Sequence, residues 1–515
     1  MFDKWLKLPA HYWLRVTALV ILIIGVAVSN VLMSIGAIWI ISNWLIEAKF
    51  SEYGQRLKHS PELILILIFL GYSILTIAWS DDFWYAFHDI RIKLPLFAIP
   101  LALGSGALLD RKIFHFLLFL FIGIVAFTSV LNFVWFNFSG LQADIRQMSW
   151  FISQIRFATL VNLALFSAIF LIFEKKLNGL LGLTLIGWFA LYTFYAQVLN
   201  GYILFVLLFL FTIAFLVMRV KSTTIKFAIF GFFILVFGSG LFYLKGLIGN
   251  YKSPVQVNFK TLDLYTVNGN PYYHDTLSTQ VENGEYVWLY VALDEIEKEW
   301  NKRSVINYDS LDLKGQPIYG TILRYLTSKH ERKDSAGVWS LSNEEIKKIE
   351  SGCTSVDMNK GLESKLHSFL FEFEMYQGGA DPNGFSLLQR LEHLKAAKTI
   401  LADHWVFGVG IGDVDSVFQT TYENTNSKLL PENRLRSHNQ FLSAWIALGI
   451  VGLIVTLLLF IVPVFQKTKR DYFLGITLIA LGVAFSFEDM LETQAGATIF
   501  ALFYSLAVFR DVRKV

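Results

Sequence analysis

One cysteine, Cys353, stands in the whole chain, so no intrachain disulfide holds any part of it together. Charge is scarce as well. Asp, Glu, Lys and Arg make up 17% of the residues and balance to a formal +3 spread over many short segments, which leaves no footprint for nucleic acid. Internal repeats, proline-rich tracts and long single-sign charge blocks are missing, so repeat architectures and extended linkers are excluded. What fills the 515 positions is apolar: 55% hydrophobic and 16% aromatic residues, with a mean hydropathy of +0.50. That balance is far from an average soluble domain and reads as an integral membrane protein.

A helix crossing about 30 Å of hydrocarbon needs about 17 to 25 apolar residues. About twelve such windows are predicted, near 12–29, 31–48, 61–79, 93–109, 113–136, 157–173, 178–196, 201–218, 225–247, 440–464, 472–487 and 494–510. No small-residue cleavage site follows the first, so it reads as a retained span. With the amino terminus placed inside, the inside loops collect nineteen Lys and Arg, from Lys4, Lys7 and Arg15 to Arg510, Arg513 and Lys514. Only Arg91, Lys93, Arg146 and Arg156 fall in the short outside loops, a bias that sets both termini in the cytoplasm.

The expected organisation is an all-α polytopic membrane protein of about 12 transmembrane helices. Residues 1–247 form spans one to nine, 248–438 a folded mixed α/β extracytoplasmic domain, and 439–515 the last three spans. The middle stretch alternates turn residues with strand-like and helical patches, as in "TVNGNPYYHD" and "ENGEYVWLYV". Its Trp, Tyr and Ile content is too high for a disordered tract. A helix is expected at "SNEEIKKIESG", capped by Ser342 or Asn343. A second is expected over 385–403, with an apolar face at Leu387, Leu391, Leu394 and Leu401 suited to lying on the bilayer surface.

The candidate chemistry gathers where the polar stretch re-enters the membrane, at Arg434-Leu-Arg436-Ser-His438-Asn439. His438 precedes the apolar run by three residues, so its ring sits at headgroup depth. There it is either a proton acceptor or an interfacial histidine bonded to a backbone carbonyl. Arg434 and Arg436 have the forked guanidinium that binds phosphate oxygens bidentately, and lipid headgroups are their alternative partners. Arg156 opens the sixth span on the side where basic residues are rare, and either snorkels or serves a ligand. Arg390, on the helix over 385–403, is a second such cation or a solvated helix charge.

Three letter matches weigh less. Gly408-Val-Gly410-Ile-Gly412 lacks the strand and helix that frame a phosphate loop, and reads as a turn after a helix ending near Trp405. Asp413-Val-Asp415 spells a metal pair but falls outside, where nucleotide sugars are scarce, and also reads as a turn. Asp81, Asp82, Glu488, Asp489 and Glu492 show no spacing of a metal cage, and no metal or other cofactor is expected.

Taken together, "RLEHLKAAKTILADHWVFGVGIGDVDSVFQTTY", "RLRSHNQFLSAWIALGIVGLIVTLLLF" and "FEDMLETQAGATIFALF" resemble the carboxy-terminal signature of the O-antigen ligase family. That family also contains O-antigen polymerases and protein O-oligosaccharyltransferases. "DDFWYAFHDIRIKLPLFAIPL" and "IRFATLVNLALFSAIF" are similar to its amino-terminal half, and "NGNPYYHDTLSTQVENGEYVWLYV" to a long-loop branch.

The resemblance implies a metal-independent, inverting glycosyltransferase in the bacterial inner membrane. It would move a glycan from a polyprenyl (undecaprenyl) diphosphate carrier to an acceptor hydroxyl at the periplasmic face, lipid A core being the favoured acceptor in lipopolysaccharide biosynthesis. It further implies His438 as general base and Arg390 and Arg436 on the diphosphate, with Arg156 assisting; Arg434 is read from its own chemistry as a further diphosphate cation, and Asn439 as a supporting residue. Polymerase and protein-glycosylating activities are the near alternatives, and transport of the lipid-linked glycan a more distant one. One departure stands out. Many members carry a Ser-Arg pair between spans seven and eight, where this chain has Asn200 and Gly201; Arg156 is the expected substitute.

Overall fold

The computed structural model of the protein describes residues 9–138, 145, 148–252, 257–278, 280–313, 315–356, 369–370, 372–373, 382–383, 385–466 and 471–511. Of the basic residues that set the predicted topology, Lys4, Lys7, Arg146, Lys467, Lys469, Arg470, Arg513 and Lys514 lie outside the described residues. The chain divides into two compact units. One comprises Met1–Lys221, His393–Ser427 and Arg434–Val515; the other comprises Ser222–Glu392 and Lys428–Asn433.

The first unit is a helical bundle. Its apolar windows fold as α1 (Ala10–Val28), α2 (Asn30–Glu47), α4 (Pro61–Thr76), α5 (Phe83–Ser105), α6 (Arg111–Phe138), α7 (Gln154–Phe173), α8 (Gly179–Tyr195) and α9 (Leu199–Arg219), with a short polar helix α3 (Phe50–Lys58) between α2 and α4. Ser29, Ser153 and Asn178 cap α2, α7 and α8, and Pro61 opens α4, where its missing N–H costs nothing. Among the described residues, seven helices are long and apolar enough to cross a membrane, and three more apolar helices are shorter. The protein is a helical multi-pass membrane protein.

One window differs from expectation. The fourth, predicted over 93–109, begins at Phe83 and so takes Asp89, Arg91 and Lys93 into α5. These charges are tolerated because Asp89 and Lys93 stand four residues apart and pair across one helical turn, at 2.5 Å.

The second unit begins with α10 (Thr223–Lys252) and then builds a core of its own. Val287, Val291, Ile296, Trp300, Tyr308, Ile322, Leu326 and Ile349 pack in one cluster. They come from α11 (Leu293–Arg303), α12 (Ile318–Ser328), α14 (Asn343–Glu350) and the loops before and between them; α13 (Ser335–Trp339) adds Val338. Strand content is smaller than expected. Among the described residues it amounts to a two-residue hairpin, β1 (Val281–Glu282) with β2 (Glu285–Tyr286), and isolated bridges, since the turn-rich segments are tied by side chains instead. The helix at 342–350 forms as read, with Ser342 and Glu345 making a reciprocal capping box.

Glu295 does most of that tying. Its buried carboxylate accepts from Thr266 Oγ1 at 2.6 Å, Asn270 Nδ2 at 2.6 Å, Asn268 Nδ2 at 3.2 Å and the Ser335 N–H at 3.0 Å. Burial opposes ionisation, but those donors prevail and hold the carboxyl at about 2, below its usual 4.5. A depressed carboxyl contributes stability above its unfolded pKa and loses it as pH falls through the folded one. Thermal stability of this unit therefore drops between about pH 4.5 and 2, by about 3 kcal/mol. Following Trp fluorescence on melting should show that step in the wild type; a Glu295→Gln variant is less stable at neutral pH and has a flatter acid limb.

Candidate functional site

The last three helices of the bundle, α17 (Gln440–Phe465), α18 (Tyr472–Phe487) and α19 (Gln494–Val508), frame the site together with α15 (Ser386–His404) and α16 (Val414–Asn424). α15 forms where a helix was expected, but its buried stripe is His393, Ala396, Ala397 and Ile400, and Leu394 faces out. The face is chosen by what packs on it: His393 lies 6.3 Å from Tyr422 and 5.2 Å from His438, ring centre to ring centre.

The glycine run after α15 is a turn, as read, and its geometry explains every glycine. Gly408 and Gly410 take positive φ, and α17 breaks at Gly449 (φ 61°, ψ −160°). The break frees carbonyls and an N–H about 14 Å along α17, and the turn takes them up. Val409 and Gly410 N–H donate to the Ile446 and Ala447 carbonyls, and Ile450 N–H donates to Val406 O. A Cβ on Gly449 would lie 2.1 Å from Val406 O. Gly449→Ala is expected to cost about 3 kcal/mol or more, read as a lower melting temperature and a lower yield from membranes.

The same turn is fixed to the far end of α4. Ile411 N–H donates to Thr76 Oγ1 and Gly412 N–H to Ser80 Oγ, while Asp413 accepts the backbone N–H groups of Asp81 and Asp82 at 2.8 to 3.0 Å. Asp413 thus serves a turn, as expected.

Beyond α16 the chain reaches Arg434-Leu-Arg436-Ser-His438. α16 holds this segment by side chains spaced along one face: Asp415 to Arg436, Gln419 Nε2 to Arg434 O, and Tyr422 OH to Leu435 O. His438 has a left-handed backbone, φ 51°, uncommon for a residue with a side chain. Asp489 stabilises it, accepting the His438 N–H at 3.0 Å, the Asn439 N–H at 2.9 Å and the Ser443 hydroxyl at 2.6 Å. Burial pushes the Asp489 carboxyl above the usual range, against the pull of Ser443 and the His438 N–H. Asn439 supports the same turn: its side chain caps α17 through Leu442 N–H and donates to Ser486 O.

Arg436 is held on three sides. Its Nε donates to Asp415 at 2.6 Å, Nη1 to Glu492 at 2.9 Å and Nη2 to Tyr85 OH. Glu492 also receives Lys93 Nζ at 2.8 Å and Gln440 Nε2 at 3.2 Å, and Lys93 pairs with Asp89. Burial works against the charge of both Glu492 and Arg436. The two cations nonetheless keep the Glu492 carboxyl below its usual range, and Glu492 and Asp415 hold the Arg436 guanidinium above its own.

The remaining expected residues are placed as follows. Arg156, in the first turn of α7, pairs with Glu488 at 2.8 Å. Arg434 faces Glu423 at 3.9 Å. Arg390 is half-buried on α15, in the stretch belonging to the second unit. Asn200, where an arginine was expected, is buried at the start of α9 and donates to Ile155 O, one residue before Arg156.

One finding differs from the sequence reading: the guanidinium of Arg436 is already engaged by protein acceptors. Glu488, Asp489 and Glu492, left there without a role, bind Arg156, the His438 turn and Arg436. Tyr85, His393 and Gln440 were missed. The one legible hint was Asp89 and Lys93 at helical pairing distance inside an apolar window.

Residues 361–457 match the O-antigen ligase family model, a stretch that includes Arg390, Arg434, Arg436, His438 and Asn439 and ends within α17. The match bears out the resemblance over that stretch. No curated protein matches the chain.

Proposed function

We propose that the protein is an O-antigen ligase-type glycosyltransferase. It moves a glycan from a polyprenyl diphosphate carrier to an acceptor hydroxyl at the periplasmic face of the bacterial inner membrane. The observation that carries this reading is the joint anchoring of His438 on Asp489 and of Arg436 on Glu492, three residues apart, inside the segment that matches the O-antigen ligase model. A proton acceptor and a permanent cation are thereby held at one end of the bundle.

The chemistry balances on these groups. The acceptor hydroxyl attacks the anomeric carbon and loses its proton to His438. The bond from that carbon to the diphosphate oxygen breaks on the opposite face, so the linkage inverts. The electron pair leaves with the diphosphate, whose growing charge Arg436 meets, with Arg434 and Arg156 as further cations. Asn439 supports the turn that carries His438. No cofactor or metal enters this scheme.

Lipid A core is the acceptor we favour, because a unit with a core of its own suits presentation of a bulky acceptor. A helix broken in mid-span is a mark of transporters, but the break at Gly449 has its backbone groups taken up by the 406–410 turn. Deleting the chain tests the acceptor. The expected result is finished glycan polymer accumulating on its carrier; single repeat units would indicate a polymerase, and unmodified protein acceptors a protein-glycosylating enzyme.

A further inference from the structure

Arg436 enters the reaction scheme as the diphosphate's partner, yet its Nε edge is occupied by the carboxylate of Asp415 at 2.6 Å. The two acidic partners of this guanidinium are not equivalent. Glu492 is fixed: its side chain is 12% exposed and is held also by Lys93 and Gln440. Asp415 stands on the first turn of α16 with its side chain 52% exposed, so water replaces its contact with Arg436 at little cost. Tyr85 closes the remaining edge.

We infer that Asp415 is a positioning residue that competes with the donor's diphosphate for the Nε edge of Arg436, and so sets donor affinity and returns to the guanidinium when the carrier diphosphate leaves. This rests on the reading of Arg436 as the diphosphate cation.

Charge supports it. Two cations, Arg436 and Lys93, lie among three carboxylates, Asp89, Glu492 and Asp415. An arriving diphosphate meets the Asp415 carboxylate at the Nε edge and is repelled by it. When Asp415 swings out to water, that repulsion is removed and a phosphoryl oxygen takes over the Nε hydrogen bond. The guanidinium keeps its orientation throughout, because Glu492 and Tyr85 hold the other two nitrogens. The carboxylate is thus a protein-borne placeholder for an anionic oxygen. It keeps the Nε edge of a desolvated cation from standing without an acceptor in the free enzyme.

The test is binding of farnesyl diphosphate to the purified full-length protein by calorimetry, with the donor KM and kcat measured alongside. Asp415→Asn keeps the shape of the side chain and removes its charge. It is expected to bind farnesyl diphosphate about fivefold more tightly, the size of a part-exposed ion pair given up, and to lower the KM for donor without raising kcat. Asp415→Glu, which restores a carboxylate, returns both toward wild type. A merely structural aspartate would weaken binding or leave it alone when replaced. If Arg436→Gln weakens binding while Asp415→Asn does not tighten it, the competition is overturned and the diphosphate reading stands. If Arg436→Gln binds as tightly as wild type, both fall.

Discussion

His438→Ala lowers glycan transfer by about 10²- to 10⁴-fold, the contribution of a positioned general base, while the protein still folds and still binds donor. The structure gives a reason to expect both halves of that result. Asp489 holds the turn at 438 through the backbone N–H groups of residues 438 and 439, and neither depends on the imidazole. Removing the ring thus removes the proposed proton acceptor and leaves the turn, Asn439 and the α17 cap in place. Transfer assays on protein with an unchanged melting temperature read the effect directly. Transfer at the wild-type rate by a well-folded His438→Ala would remove the base assignment. Asp489→Ala should behave differently, losing activity together with stability, because it leaves two backbone donors without their carboxylate.

Arg436→Lys is expected to be nearly as damaging as Arg436→Ala, with transfer down by more than about 10²-fold in each, because a guanidinium that serves several acceptors at once is not replaced by a point charge. Arg436 directs three nitrogens to three acceptors in different directions, Asp415, Glu492 and Tyr85. An ammonium on a lysine stem reaches at most part of that set. Arg436→Ala in addition strips one of two cations from a buried cluster of carboxylates, a loss of about 3 to 5 kcal/mol when a buried pair is broken. Melting curves and donor binding separate the two effects: Arg436→Lys should retain more stability than Arg436→Ala while matching its loss of transfer. Full activity in the lysine variant would show that a generic positive charge suffices there.

Much of the helical framework was legible because hydrophobic length is local information. Each apolar window announces its own helix, and caps such as Ser342 with Glu345 lie within four residues of one another. His438 and Arg436 were legible for a related reason, as polar groups crowded against the start of an apolar run.

What the sequence withheld is whatever joins distant segments. Lys93 and Glu492 meet across 399 positions, Asp81 and Asp413 across 332, and nothing in either neighbourhood names the other. The carboxylates at 488, 489 and 492 therefore could be denied a metal role from their spacing but not given their partners, each being drawn to a separate one. The buried face of α15 was misplaced for the same reason. Leu387, Leu391, Leu394 and Leu401 make the better apolar stripe, but small Ala396 and Ala397 allow the close approach that buries His393. The three glycines at 408, 410 and 412 were legible as a turn. Their match to a broken helix was not, because Gly449 looks like any other glycine in an apolar span.

The proposed reaction is metal-free, inverting transfer from a lipid diphosphate by groups of this chain alone. Its most direct test is a reconstituted reaction: purified wild-type protein, a polyprenyl-diphosphate glycan of known anomeric configuration, and lipid A core, with chelator present throughout. The expected result is a lipid A core product with the opposite anomeric configuration, formed at a rate that chelator does not change and absent with His438→Ala. A product of retained configuration, or a reaction that chelator abolishes, would contradict it.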